Sequence, residues 1–281
     1  MPNISRRGFF KSAAAISAMP FFAQANETKK EETLQFIHIT DSHMDLSDEN
    51  SVEAMQLMVE HINKNFKTLD FVVFGGDNFN NNVKGNKDAL AYKEIVEKLH
   101  CPAYHVRGNK ESHPKPDDAI HLDEFKTLFM SDKALHVSGK DWLLETKGIA
   151  FLGLDSCIEG QNNGIYTEET LTFAESVLKK GKPTVILNHH PYTNYWKGTD
   201  PKDIHKYVLN NTDEAQKRLF GFDNLILTLS GHKHIDSVTK INKTQTIVTR
   251  GFIRPLDMDM YPMRYVEITG DKINEKLIYT A

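Results

Sequence analysis

The sequence predicts an α/β fold with a two-sheet core sandwiched by helices, and three observations carry that prediction. Short apolar runs such as Phe71–Phe74, Thr184–Leu187 and Leu225–Leu229 suit strands buried on both faces of a sheet. These runs alternate with segments of helical spacing as far as about Phe220, and strand-like segments dominate afterwards. No Pro/Gly-rich linker interrupts 34–281, which therefore reads as a single domain. Hydrophobic residues make up 40% and charged residues 26%, which sets the chain among ordinary globular proteins and apart from disordered or repetitive ones.

The N-terminus stands apart from that domain. Ser5-Arg6-Arg7-Gly8-Phe9-Phe10-Lys11 precedes the small and apolar run Ser12–Phe22 and then Ala23-Gln24-Ala25. A basic start, a short apolar stretch and an A-x-A end describe an export signal, and the paired arginines point to the twin-arginine route. Residues 1–25 are thus expected to be cleaved, with the twin-arginine translocase as transient partner and the periplasm as destination. Ser12–Phe22 falls short of the roughly 20 residues that span a bilayer, so no stable membrane anchor is expected. Cleavage removes Arg6, Arg7 and Lys11 and no acid, leaving 31 basic against 38 acidic residues, a net charge of −7. That acidic balance argues against a nucleic-acid partner. Cys101 and Cys157 lack metal-motif spacing and read as buried or free thiols.

After a polar linker over 26–33, Leu34–Ile39 reads as a strand and Ser51–Phe66 as a helix. Phe71–Phe74 follows as a strand, Lys87–Leu99 as a helix, and Ala103–Val106 as a short strand. Ala119–Met130 has helical spacing; Trp142–Glu145 and Ile149–Leu154 read as strands and Glu168–Lys180 as a helix. Thr184–Leu187 is the next buried strand, Asp203–Phe220 is expected to be mostly helical, and Leu225–Leu229 is a further strand. The tail predicts strands over Ser237–Ile241, Thr246–Thr249, Met263–Thr269 and Lys272–Tyr279, with Gly270-Asp271 as a hairpin turn.

What the apolar runs deliver carries the chemistry. They end in Asp41-Ser42-His43, Gly75-Gly76-Asp77-Asn78, Gly108-Asn109, Asn188-His189-His190-Pro191 and Gly231-His232-Lys233-His234. The carboxyl edge of an open α/β sheet is where such folds bind ligands. Any one of these residues is ordinary as a turn former, cap or core histidine. Together they offer carboxylate, amide and imidazole donors and no thiolate, a set suited to divalent transition metals.

In order the motifs read D-x-H, G-D-N, G-N, H-x-P and G-H-x-H, and this closely resembles the calcineurin-like metallophosphoesterase superfamily, its cyclic-nucleotide phosphodiesterase-like branch above all. The resemblance covers the whole chain after the leader. It implies a four-layer αββα architecture and two divalent metal ions, Mn, Fe or Zn. It assigns Asp41, His43 and His234 to one metal, Asn109, His189 and His232 to the other, and Asp77 to both. It further implies hydrolysis of phosphate mono- or diesters of small molecules by a hydroxide held between the metals. Tyr192, Tyr195 and Trp196, which follow His189-His190-Pro191, are candidates to stack on a substrate, with loop packing as the ordinary alternative.

Two positions depart from the pattern. Purple acid phosphatases place a tyrosine three residues after the bridging aspartate, where this chain has Asn80. The family's usual G-N-H-D/E is here Gly108-Asn109-Lys110-Glu111. A lysine with an ordinary pKa near ~10.4 is a poor proton donor at neutral pH. Lys110 as a charge, or His113 or His190 as a substitute acid, are therefore the catalytic candidates. The alternative is a non-catalytic metal-binding or scaffold protein that keeps the fold.

Overall fold

The computed structural model describes residues 32–83, 85–112, 120–193 and 200–280. In chain order these form β1 (Thr33–Ile39), α1 (Glu49–Asn65), β2 (Phe71–Phe74), α2 (Lys87–Val96), β3 (Ala103–His105), α3 (Asn109–Ser112) and α4 (Leu122–Phe129). Next come β4 (Leu135–Ser138), β5 (Asp141–Thr146), β6 (Ile149–Gly153), α5 (Glu168–Leu178), β7 (Thr184–Leu187), a 3₁₀ turn (Pro201–Lys206) and α6 (Thr212–Leu219). β8 (Leu225–Ser230), β9 (Ser237–Ile241), β10 (Thr244–Val248), β11 (Pro262–Thr269) and β12 (Lys272–Tyr279) complete the domain.

The strands make two sheets, ordered β12-β11-β1-β2-β3 and β4-β5-β6-β7-β8-β10-β9. Within them β1, β2 and β3 run parallel, as do β6, β7, β8 and β10. The sheets pack face to face through aromatic rings: Phe151 of β6 sits 5.2 Å from Phe36 of β1 and 5.5 Å from Phe71 of β2, both edge-on. On the far side of the first sheet, α1 buries Met55, Met58, Val59 and Ile62, whose three- and four-residue spacing is the apolar stripe expected of a packed helix. On the far side of the second, Leu171, Ala174 and Leu178 of α5 join Ala215 and Leu219 of α6 in a separate apolar cluster. Helices, sheet, sheet, helices are the four layers expected.

Local chemistry sets the ends. The Asp48 side chain accepts from Asn50 N–H at the start of α1, and Thr167 from Thr170 N–H at the start of α5. Gly270-Asp271 turns the β11–β12 hairpin, with Thr269 opposite Lys272. The first strand begins at Thr33, one residue inside the expected linker.

The stretch Asp203–Phe220 is mostly helical as expected, divided into a 3₁₀ turn and a separate α6. Between them, Leu209 N–H donates to Pro191 O at 3.0 Å and Asn210 N–H to Gly164 O at 2.7 Å, so neighbouring loops claim the amides a continuous helix would need. β4 and the single turn α3 are additional to the elements the sequence predicts. Both cysteines are free thiols, Cys157 buried and Cys101 half-buried. Residues 1–31, His113, Tyr195 and Trp196 lie outside the described residues, and with them the leader and three of the expected site residues.

Candidate metal centre

The parallel strands of both sheets end at one cleft. β1 hands over Asp41 and His43, β2 Asp77, β3 Asn109, β7 His189, and β8 His232 and His234. The loops are laced to one another: Asp41 N–H donates to Gly76 O and His43 N–H to Asp77 O, each at 2.9 Å, while Gly231 N–H donates to His189 O at 3.0 Å. Asp41, His43, Asp77, His232 and His234 all hold left-handed backbone angles, φ between 48° and 67°. Such conformations cost of order 1–3 kcal/mol each in non-glycine residues and gather where function demands them. Gly76, at φ 89°, turns tightly enough that a Cβ there would come 2.7 Å from Gly108 N. A Cβ at Gly231 would collide with Thr40 Oγ1 and the Asp41 carboxylate.

The seven sequence-predicted donors converge. His43 Nε2 lies 3.2 Å from His234 Nε2, which lies 3.2 Å from Asp41 Oδ1. On the other side, Asn109 Oδ1 lies 3.1 Å from His189 Nε2 and 2.9 Å from His232 Nδ1. Asp77 stands between the two groups, Oδ2 3.7 Å from His43 Nε2 and Oδ1 3.4 Å from His189 Nε2.

The opposite ring nitrogens point outward to oxygens. His43 Nδ1–H donates to Asn80 Oδ1 at 3.0 Å, His189 Nδ1–H to Gly75 O at 2.9 Å, and His232 Nε2–H to Lys206 O at 3.0 Å. This pins each tautomer and turns a lone pair inward, the arrangement that metal-ligating histidines adopt. The inward nitrogens and oxygens are thereby acceptors facing acceptors at contact distance, which a cation between them resolves. The residues present fit two divalent ions.

Electrostatics follow the same map. Burial alone would raise the pKa of Asp77, but His189 and His43 hold it well below the usual carboxylate range. Burial would likewise lower His189, yet Asp77 pushes it up to about 9, so a proton on its inward Nε2 competes for the place a cation beside Asp77 would take. Burial and the neighbouring His189 bring His232 down to about 4.

Glu111 closes the motif Gly108-Asn109-Lys110-Glu111. Wholly buried, it accepts N–H bonds from Gly108 (2.6 Å), Asp77 (3.0 Å), Asn78 (2.6 Å) and Phe79 (3.2 Å), and so fastens the loop after β2 to the loop after β3. Its position two residues after Asn109 was the signal. Asn80 has a second partner too: its Nδ2–H donates to Asp45 Oδ2 at 3.3 Å, so a chain Asp45–Asn80–His43 runs behind one metal group.

The cleft encloses about 720 Å³, and Lys110 lines it, with its backbone N–H donating to Asp77 Oδ1 at 2.7 Å. His190 does not line it. Its ring sits behind His189 and His232, 4.9 and 4.5 Å away, with Nδ1 accepting from Ser156 Oγ–H at 2.8 Å and Nε2–H donating to Asn162 O at 3.1 Å. With both nitrogens engaged, His190 supports the ligands and is not aimed at a leaving group. Tyr192 is corrected as a substrate contact: its hydroxyl pairs with that of Tyr166 at 2.8 Å and its ring packs on Phe220, inside the second apolar cluster. An aromatic residue after H-x-P can be drawn into the core as readily as toward a ligand.

Residues 34–236 match the model of the calcineurin-like phosphoesterase family. The chain is 30% identical over 195 residues to a protein of Arcobacter nitrofigilis named "Probable glycerophosphodiester phosphodiesterase GpdQ", covering 68% of this chain and 66% of that one. It is 23% identical over 163 residues to a Coxiella burnetii protein named as a probable cyclic nucleotide phosphodiesterase, covering 55% and 58%. Neither match reaches two thirds of the relative's own length. Among solved structures, a dimetal phosphatase from Danio rerio superposes with a TM-score of 0.65 at 13% identity, covering 88% of this chain and 99% of that one, a likeness of fold.

Proposed function

The chain belongs to the calcineurin-like phosphoesterase family, whose members are metal-dependent phosphoester hydrolases with a dinuclear site; from that premise we propose an exported enzyme that hydrolyses phosphate mono- or diesters of small molecules. The observation that carries this is the convergence of seven donors in two groups about Asp77, with their imidazoles braced from behind.

Asp41, His43 and His234 would hold one ion, Asn109, His189 and His232 the other, and Asp77 would touch both. When bound, such a pair of Mn, Fe or Zn ions supplies an activated water and neutralises charge on the phosphoryl oxygens. The rest falls to the chain. Asn80, Gly75 O and Lys206 O keep the ligand rings in register. Glu111 holds Asp77 and Asn109 at a fixed separation by gripping both of their loops. Lys110, on the cleft wall beside Asp77, offers a fixed positive charge to the phosphoryl group or the departing oxygen, where the family's histidine would offer a proton.

Metal analysis combined with turnover of aryl phosphomonoesters and phosphodiesters in Mn tests this reading. Two equivalents of metal and turnover of either ester are expected. Two equivalents without turnover across a wide panel favour the non-catalytic alternative, whose support is Lys110.

The export reading rests on Ser5–Lys11 and Ala23-Gln24-Ala25. Mature protein should begin near Asn26. Arg6→Lys with Arg7→Lys should leave unprocessed precursor in the cytoplasm, and unchanged export in a strain lacking the twin-arginine translocase would refute the route.

A further inference from the structure

The cleft carries more positive charge than one phosphate ester needs. Its wall presents Lys110, Lys206, Lys233 and Arg254, against Asp77 as its one carboxylate among the described lining residues. Lys110 is placed beside Asp77 for the reacting phosphoryl group, and Lys233 is buried between two ligands, its Nζ 4.1 Å above the Tyr207 ring. Lys206 and Arg254 remain. Neither rides on a loose surface loop. Lys206 ends the 3₁₀ turn whose last carbonyl accepts from His232 Nε2–H at 3.0 Å. Arg254 follows Phe252 and Ile253, whose N–H groups donate to Thr40 O at 2.8 Å and Asp41 O at 3.0 Å. Two cations are thus bolted to the ligand loops themselves, one through each metal group.

We propose that the substrate carries a second anionic group, carboxylate or phosphate, besides the phosphate that reacts, and that Lys206 and Arg254 receive it. This rests on the phosphoesterase reading above. An ester with a neutral remainder would leave both cations without a partner on the ligand. Lys206 does have Asp203 at 2.7 Å, but that pair is exposed, and exposed pairs of this kind are worth little and exchange readily for a better anion.

The test uses ligand pairs that differ in one anionic group: glycerol 2-phosphate against 2-phosphoglycerate, in which a carboxylate replaces one hydroxymethyl group, and fructose 6-phosphate against fructose 1,6-bisphosphate, which adds a second phosphate. Affinities are read by calorimetry on the Mn-loaded protein at low salt, and kcat/KM in parallel. The more anionic member of at least one pair should bind about tenfold tighter, as two partly exposed charge contacts allow, and the pair that discriminates names the group. The ratio should fall toward one in Lys206→Gln with Arg254→Gln, persist in Lys206→Arg, and shrink at high salt. A ratio near one in the wild type for both pairs, or a ratio that survives the double substitution, overturns the proposal. A ratio seen by calorimetry without turnover of any ester sinks the phosphoesterase reading and leaves Lys206 and Arg254 standing only as the second-anion site of a bound phosphate ester. Turnover of aryl esters with no discrimination does the reverse.

Discussion

Asn80 shows how much of this site is decided by single residues that touch no substrate. It stands where a related branch has a tyrosine, and it fixes the His43 ring from behind while leaning on Asp45. Loss of such a support weakens metal affinity by about 10- to 100-fold. Asn80→Ala should therefore drop the metal content from two equivalents toward one at limiting Mn, while Asn109, His189 and His232 keep theirs; two equivalents at wild-type affinity would refute the chain Asp45–Asn80–His43. Lys110 acts differently. Lys110→Ala should leave metal content intact and lower kcat, by roughly 100- to 1,000-fold for an alkyl ester if the charge serves the transition state. The loss should be smaller for a p-nitrophenyl ester, because a good leaving group gathers less charge. Wild-type kcat on both esters would make Lys110 a bystander.

Elements matter here through their ends. Gly108 closes the loop before α3, and a Cβ there would strike the backbone nitrogen of Asp77 and its carboxylate. Gly108→Ala should push the β2 and β3 loops apart and abolish tight binding of both ions, measured by metal analysis after gel filtration, in a protein that still gives a folded circular-dichroism spectrum. A second junction joins β5 to the end of β6. Asp141, 2% exposed, accepts the Asp155 N–H at 2.7 Å, and burial pushes its pKa from 3.8 to about 7. The folded chain therefore holds a proton that the unfolded chain releases, so stability from this group is full below pH 3.8 and lost as pH rises through about 7. Between pH 5 and pH 8 the wild type should lose about 2–3 kcal/mol more than Asp141→Asn in urea unfolding. Parallel curves for the two proteins would show that Asp141 is already ionised.

The seven donors could be read from the chain because each follows an abrupt break in an apolar run, and that break is a one-dimensional signal. Their supports could not be read so. Gly75 O, Lys206 O and Ser156 reach their histidines from 114, 26 and 34 positions away, a pairing set only by the fold. The strand β4, Leu-His-Val-Ser, is too short and mixed to announce itself. Tyr192 followed the local pattern of a ligand-facing aromatic, and the second apolar cluster took it instead.

On the scale of the whole molecule, both sheets contribute donors, so the ions would add a tie between two layers already joined by ring packing and by hydrogen bonds such as Trp142 Nε1–H to His105 O at 2.7 Å. Mn at a hundred times its dissociation constant should add about 2.7 kcal/mol for each ion bound, raising Tm by about 5–11 °C per ion at roughly 2–4 °C per kcal/mol for a domain of this size. Chelation should reverse it, and a Tm indifferent to both treatments would argue against ligands from two sheets.

The same convergence has a consequence for which metal the cell installs. Donors separated by as many as 193 positions, from Asp41 to His234, come together only once β8 is seated between β7 and β10, so the full set of seven exists only in the folded chain. Affinity at nitrogen and oxygen sites climbs from manganese toward copper whatever the enzyme requires, and this site has no thiolate or closed cage to overrule that order. Choice then passes from the protein to its surroundings at the moment of closure. On the proposed export route that moment falls before translocation, so the cytoplasmic supply of manganese, iron and zinc, and not that of the periplasm, would write the metal composition of the secreted protein.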